Sequence, residues 1–399
     1  MNNTFVSNTV KSTPIEAQNP KIVVLGLGGG GSNAINRMIE HGMNGVTFAA
    51  ANTDCQALQS NLAPTKIQLG PKSTRGLGAG GLPSIGEAAA EESYRELAAV
   101  MEGADMVFLA AGMGGGTGTG SIPIAARVAK SVGAVTIAVV TTPFSFELGR
   151  RQHNADAGIQ KLRQYTDTLI VIRNDRLLEV TPQDLPLEMA FALADDVLRQ
   201  GVQGIAELIT ETGLINVDFA HIRHIMQLGG DALMAIGTGE GPDKVSQAIQ
   251  QALHHPLLEE ISLSTASGII ANFSGGSDLT FSEVAEALAK LQEETGNQAE
   301  IIPGVLNDPR MENRAQLILI VTGIGAIKLE DALVGAASLY HKEIIPHYTD
   351  SPAQPIQNYS ILKMIQPEFE PTQYQPTLNM GTNLDIPAFM RKRIHQQGR

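Results

Sequence analysis

Two glycine-rich runs have the residue types and spacing to hold a phosphate on backbone amides: Gly26-Leu27-Gly28-Gly29-Gly30-Gly31-Ser32-Asn33 and Gly112-Met113-Gly114-Gly115-Gly116-Thr117-Gly118-Thr119-Gly120. The first follows the apolar run Ile22–Leu25 and precedes a helical stretch from Asn33 to Ile39. Its N–H groups would converge at a helix N-terminus, which carries partial positive charge. The second repeats the arrangement after Met106–Ala111. Neither contains the Gly-Lys-Ser/Thr of a P-loop, so amides, hydroxyls and a divalent cation must do the work of the missing lysine. Taken alone, Gly26, Gly28 and Gly31 also satisfy G-x-G-x-x-G, with Asp54 at about the distance of a ribose-binding acid, which fits an NAD-dependent dehydrogenase. The second run has no role in a dinucleotide fold. Both runs also fit tight turns and close helix–strand packing.

The elements that must position these runs are legible from periodicity. Ile22–Leu25, Val46–Ala51, Met106–Ala111, Val135–Val140 and Leu169–Ile172 alternate with helical patterns and read as buried parallel strands of a doubly wound α/β domain. Ligands in such sheets sit beyond the carboxyl ends of the strands. Both glycine runs, Asn52-Thr53-Asp54 and Thr141-Thr142-Pro143 fall there. Pro186 opens a helical pattern to Thr212, with Leu187, Phe191, Ala194, Leu198, Val202, Ile205 and Ile209 on one face. At 1.5 Å per residue it spans about 40 Å, enough to cross a domain. Beyond Gly213 a second, smaller α+β unit with a mixed sheet is expected, with strands at Ala232–Ile236, Gly268–Phe273, Glu300–Ile302 and Leu317–Val321, and helices at Asp243–Leu253 and Phe281–Leu291.

The chain has 399 residues, 43% hydrophobic and 17% charged, enough for at least two cores. A net charge of −13 argues against nucleic acid as a partner, because such binding needs a basic footprint. The single cysteine, Cys55, excludes an internal disulfide and a thiolate metal cluster, which fits a reducing cytoplasm. No run of about 20 apolar residues is present to insert into a membrane. After about Glu330 the composition turns to proline, glutamine and tyrosine, which predicts a disordered tether. It ends in Leu384-Asp385-Ile386-Pro387-Ala388-Phe389-Met390-Arg391-Lys392-Arg393, an apolar island beside a basic cluster that suits a partner groove and equally fits a frayed terminus.

Gly28–Ala34, Asn52-Thr53-Asp54, the Gly114–Gly120 run, Asn216-Val217-Asp218 and Asp385-Ile386-Pro387-Ala388-Phe389 together resemble the FtsZ family, the bacterial tubulin-like cell-division GTPases. The similarity runs from about Lys21 to Thr322 and resumes at the tail. It implies a tubulin-like fold divided into an N-terminal arm (1–20), a GTP-binding domain (21–185), a central helix (186–212), an α+β domain (213–329), a linker (330–382) and a partner-binding tail (383–399). It also implies head-to-tail homopolymers in which the loop after the central helix closes the nucleotide site of the next subunit. Such filaments would build the cytokinetic ring at midcell, on the inner face of the membrane, with membrane anchors and other division proteins bound through Asp385, Ile386, Pro387, Phe389 and Arg391.

Carried over by the resemblance, Gly28, Gly29, Gly30, Gly31, Asn33, Gly114, Gly115, Gly116, Thr117, Gly118 and Thr119 would hold the phosphates of GTP and its Mg²⁺, with Ala79 and Gly80 near the γ-phosphate and Asn52 and Asp54 beside them. Glu147 and Arg151 would face the ribose and phosphates. Asn174 and Asp196 would read guanine, whose ring N–H and amine a carboxylate can accept together, and Phe191 would stack on the base. By residue type alone, Asp54 and Asn174 also fit helix caps, Arg151 a pair with Asp156, Asp196 a solvated position and Phe191 the core.

The chain departs from the family at the catalytic loop, where Asn-x-Asp-x-x-Asp becomes Asn216-Val217-Asp218-Phe219-Ala220-His221. Asn216 and Asp218 match; His221 stands where the second acid belongs. Neutral imidazole can orient or deprotonate water, whereas imidazolium cannot act as a base. Leu82-Pro83 likewise replaces the family's common Asn-Pro. The alternative to an efficient GTPase is thus a slow or non-hydrolysing GTP-binding scaffold that copolymerises with a more active paralogue. On sequence alone, His221→Asp is expected to raise assembly-dependent phosphate release, and unchanged release would mark histidine as a competent replacement.

Overall fold

The computed structural model describes residues 20–324 apart from 148, 180, 182–183, 212, 216, 259–262 and 297. The arm before residue 20, the linker from 330, the tail residues Asp385, Ile386, Pro387, Phe389 and Arg391, and Asn216 of the catalytic loop all lie outside the described residues.

Ten strands join into one sheet, β1 (Ile22–Leu27), β2 (Thr47–Asn52), β3 (Thr65–Gln68), β4 (Met106–Gly112), β5 (Val135–Thr142), β6 (Thr168–Arg173), β7 (Asp231–Glu240), β8 (Gly268–Gly275), β9 (Glu300–Asn307) and β10 (Arg314–Ile324), in the order β3-β2-β1-β4-β5-β6-β7-β10-β8-β9. Strands β3 to β7 run parallel, β10 is antiparallel to both β7 and β8, and β9 is parallel to β8. The mixed sheet expected after Gly213 is present, but it is not a separate layer. Leu169 and Ile170 of β6 pair with Asp231 and Ala232 of β7, so both sheets are continuous. The short edge strand β3 has no counterpart among the sequence expectations, since its residues Thr-Lys-Ile-Gln carry a single buried apolar side chain.

The helices are α1 (Gly28–Glu40), α2 (Cys55–Gln59), α3 (Pro83–Glu92), α4 (Tyr94–Met101), α5 (Thr117–Ser131), α6 (Arg150–Leu162), α7 (Asn174–Leu178), α8 (Leu187–Thr210), α9 (Phe219–Gln227), α10 (Lys244–Leu253) and α11 (Phe281–Glu294). Alternate residues of each strand face opposite layers. Ile22 and Val24 pack with Ile35 and Met38 of α1 and with Leu198, Val202 and Ile205 of α8. Val23 and Leu25 pack with Ile122, Ala125 and Ala126 of α5. A third cluster joins α10 and α11 to β8 and β10 through Ile249, Leu291, Phe273 and Leu319.

Helix α8 binds the two halves. Its 24 residues extend about 36 Å at 1.5 Å per residue. Leu198 and Val202 meet the parallel strands, while Leu208 belongs to the same core as Ile302 and Ile318. A polar ladder runs along its flank: Arg199 donates to Asp196 and Gln203, Gln203 donates to Glu207, and Gln316 of β10 donates to Gln200. Burial pushes the Glu207 carboxyl up to about 7, against the hydrogen bond from Gln203 and with the nearby Glu211 adding to the rise. Because the folded state favours the protonated form, stability is greatest below the ordinary glutamate range and is lost as pH rises through about 7. Glu207→Gln is therefore expected to raise the melting temperature by a few degrees at pH 8, an effect worth at most about 3 kcal/mol, and to change it little at pH 5, as measured by thermal denaturation at both values.

Candidate nucleotide site

Strand order reverses between β1 and β4: the connection from β1 goes to β2 on one side, and β4 pairs on the other. Helix α1 consequently lies in one layer and α5 in the opposite one. Their N-termini meet over the carboxyl ends of neighbouring strands, the crevice in which open α/β sheets bind ligands. The approach is backbone to backbone. A Cβ on Gly28 would lie 2.6 Å from the Gly118 nitrogen, one on Gly31 2.2 Å from the Ala110 oxygen, and one on Gly30 3.0 Å from the Gly112 nitrogen. Gly28 and Gly114 also adopt φ of +69° and +97°, conformations that side chains resist.

Other glycines of the crevice are open. A Cβ would meet nothing within 4 Å at Gly29, Gly115, Gly80 or Gly81. Neither α1 nor α5 has a side-chain cap, and neither carries an acidic residue in its first turn. Two sets of unsatisfied amides thus share one space with an unopposed positive field, which suits a polyphosphate. The Thr117 and Thr53 hydroxyls stand 2.6 Å apart across this floor. Thr119 is buried, and its hydroxyl accepts from the Gly114 N–H at 2.8 Å, fixing the loop. Gly116 packs against Ala79, the buried residue that starts the neighbouring loop Ala79–Leu82.

The flanking polar residues are largely engaged with one another. Buried Asn52 accepts from the Asp54 N–H at 3.2 Å, and Asp54 caps α2 by accepting from the Gln56 and Ala57 amides. Glu147 accepts from the Phe144 N–H at 2.9 Å and pairs with Arg151 at 3.0 Å, so Arg151 turns back one helical turn. Asp156 accepts instead from Gln152. The Arg151 backbone lies against Gly114, which keeps this pair at the rim of the second glycine loop.

At the far side of the crevice, Asn174 starts α7 at the end of β6; its side chain is buried and its Oδ1 has no hydrogen-bond partner. A buried acceptor left alone is costly, so this oxygen is open to a donor from a ligand or a water. Nearby aromatic rings form a three-sided group. Phe144 and Phe146 stack at 5.1 Å between centroids, and Phe191 meets both edge-on at 5.4 and 6.2 Å. Phe144 is buried; Phe146 and Phe191 are exposed, so two rings present surface to a planar group.

The two adjacent aspartates of α8 differ. Asp196 accepts from Arg199 at 2.7 Å and from Gln200 at 2.6 Å along its own helix; burial opposes its ionisation, but these donors hold the carboxyl below its ordinary range. Asp195 faces α1. Its carboxylate is 3.8 Å from Arg37, and burial lifts it to about 6 although Arg37 and the Asn33 side chain both favour the ionised form. Helix phase decides between them: at about 100° per residue, a residue four after Phe191 returns to within about 40° of its face, whereas one five after is turned about 140° away. That spacing is present in the sequence and puts Asp195, not Asp196, on the face of α8 that carries Phe191. Phe146, absent from the sequence expectations, carries only the weaker signal of following the Thr141–Pro143 strand end.

The described residues of the loop expected to be catalytic lie beyond the C-terminal end of α8. Thr210, the last residue of α8, packs where a Cβ on Gly45 would fall, just before β2 and so at the amino ends of the parallel strands. Leu214 donates to the Val305 carbonyl at 2.8 Å and Ile215 bridges Val305, tying the segment to β9. Asp218 caps α9 by accepting from the Ala220 N–H. One turn on, His221 Nε2 lies 2.5 Å from Glu300 Oε1 at the start of β9. Among the described residues no three His, Cys, Asp or Glu side chains converge as a metal cage, and no helix is long and apolar enough to cross a membrane.

Family models agree with this architecture. Residues 21–182 match the Tubulin/FtsZ family GTPase domain, and residues 230–325 match the FtsZ family C-terminal domain. Among solved structures, the chain is similar to an empty FtsZ dimer from M. jannaschii, at 44% identity and a TM-score of 0.75, over 78% of this chain and 90% of that one. It is also similar to a point mutant of the M. jannaschii FtsZ, at 44% identity and a TM-score of 0.74, over 77% and 92% of the two chains. A GTPγS-bound protofilament of CetZ2 from Haloferax volcanii shares the fold at 20% identity and a TM-score of 0.64, over 81% and 98%. With a shared framework of this extent and the two loops meeting at its centre, the chain belongs to the Tubulin/FtsZ family of GTPases.

Proposed function

We propose that the chain binds GTP in this crevice, assembles head to tail into filaments, and hydrolyses the nucleotide at the interface between successive subunits to drive the cytokinetic ring at midcell. One observation carries the reading. Asp195, in the third turn of α8, faces α1 behind the first glycine loop, while Asp218 lies beyond the opposite end of α8, which ends about 22 Å further along the axis. A subunit cannot bring its own Asp218 to its own phosphates, so the nucleotide and the acid become one site only when a second molecule stacks beneath or above. Phosphates would rest on the amides of Gly28–Gly31 and Gly114–Gly118, with Mg²⁺ held mainly through the phosphates. Anchor and division proteins would bind the tail around Ile386 and Phe389, and the filament would lie in the cytoplasm along the membrane.

Base recognition follows from the buried groups. Asn174 offers an unpaired acceptor, Phe146 and Phe191 offer ring surface, and Asp195, rather than the Asp196 expected from sequence, offers a carboxylate facing the first loop. Ionised Asp195 would accept both the ring N–H and the exocyclic amine of guanine. Because its carboxyl titrates near 6, GTP affinity is expected to fall as pH drops below about 6 and to be constant above about 7. Asp195→Asn should weaken GTP binding by about tenfold to 100-fold, corresponding to the loss of a charged hydrogen-bond acceptor, whereas Asp196→Asn should change it little. A larger loss from the Asp196 variant in equilibrium titration would reverse the assignment.

A slower scaffold that copolymerises with a more active paralogue is favoured by one feature, His221 in place of an acid. Light scattering coupled to phosphate release across protein concentration, with GTP, GDP and NADH, separates the readings. Assembly with concentration-dependent release on GTP alone is the expected outcome, and Asp218→Asn should retain assembly while lowering release by about 100-fold or more. Assembly without release would support the scaffold. A monomer unchanged by GTP at high concentration would remove the filament reading altogether.

A further inference from the structure

We propose that Glu300 of β9 supplies the carboxylate that the catalytic loop lacks, by orienting His221 as the general base of hydrolysis. The proposal rests on the interfacial reading above. His221 Nε2 lies 2.5 Å from Glu300 Oε1, and both side chains are about half exposed, at 51% and 42%, on the surface that carries Asp218. Seventy-nine residues separate them in sequence, and the pairing exists because α9 lies beside β9, which also anchors Leu214 and Ile215. An exposed ion pair of this kind adds little to stability, so its consequence is orientation.

With Nε2–H donating to Glu300, the imidazole is held in the tautomer whose lone pair is on Nδ1, and among the described residues Nδ1 has no partner. That nitrogen is free to take a proton from water. In the reaction, water oxygen forms a bond to the γ-phosphorus as the bond from that phosphorus to the bridging oxygen breaks. GDP leaves with the bonding electron pair, the water proton passes to Nδ1, and the imidazolium is stabilised by the Glu300 carboxylate until the proton returns to solvent. Asp218, one turn earlier on α9, remains as the second carboxylate of the loop. Glu300 itself touches neither water nor phosphate; it is a positioning residue. The charge lost from the helix is thereby restored from a strand.

The geometry also revises the expectation for His221→Asp. An aspartate at 221 would confront Glu300 and meet a like charge, so restoring the acid alone is not expected to raise turnover. Turnover should rise only when Glu300 is neutralised as well.

The test uses the full chain and compares wild type, Glu300→Gln, Glu300→Asp, His221→Asp and the double variant His221→Asp/Glu300→Gln, reading GTP affinity, critical concentration and phosphate release per assembled subunit. Glu300→Gln should lower release about tenfold or more, less than the roughly 100-fold or more that loss of the base itself would cost, with affinity and critical concentration unchanged. Glu300→Asp should recover part of the loss, and the double variant should exceed His221→Asp. Where Glu300→Gln assembles poorly, mixed filaments with wild-type subunits supply the measurement, release falling in proportion to the variant fraction. Unchanged release from assembled Glu300→Gln, or a rise from His221→Asp alone equal to that of the double variant, would overturn the role of Glu300 and leave the interfacial reading intact. Release by wild type that does not depend on assembly would overturn both.

Discussion

Everything at the nucleotide crevice depends on two helix N-termini brought together without side chains between them. The reversal of strand order at β1 and β4 sends α1 and α5 to opposite layers, so that their first turns converge over a single gap. Gly28, Gly30, Gly31 and Gly118 allow backbone to meet backbone there, and the absence of caps or acids in either first turn leaves the amides unsatisfied. A domain that left so many donors unpaired would be less stable than one that capped them. The arrangement makes physical sense for a site completed by an anion, and it does without a lysine because two helix ends contribute where a P-loop has one.

The second constraint is length. Helix α8 packs on the parallel strands at one end and on the antiparallel strands at the other, and its polar flank is held by the ladder from Asp196 to Glu207. It therefore fixes the separation between the crevice and Asp218 as a property of the core. A continuous sheet reinforces this, since β7 extends the parallel sheet through β6. Whatever chemistry requires both ends must be done by two molecules. On the proposed reading, activity and assembly would be a single physical event, and a change such as His221 would alter disassembly more directly than nucleotide binding.

The glycine runs and the alternation of strands and helices are legible in the sequence because each depends on local rules: the absence of Cβ at a close approach, and the match of apolar spacing to a helical or extended period. Five of the parallel strands and the long helix follow from these. The residues proposed to read the base are only partly legible. Asn174 and Phe191 are identified by resemblance, while the choice between Asp195 and Asp196 needs the helical phase relative to Phe191. The polar edge strand β3 gives no periodic signal, and the Arg151–Glu147 pair is a matter of which direction along a helix a long side chain turns.

By itself the sequence determined the local elements, the two glycine-rich turns, and the presence of His221 where the family pattern has an acid. Only the tertiary structure decided that the two sheets fuse into one, that Asp195 stands 3.8 Å from Arg37 of α1, and that Glu300 stands against His221. The reason is physical. Spacing along the chain encodes which face of an element a residue occupies, but contacts such as that between α9 and β9 join residues far apart in sequence, and their partners are chosen by how whole layers pack.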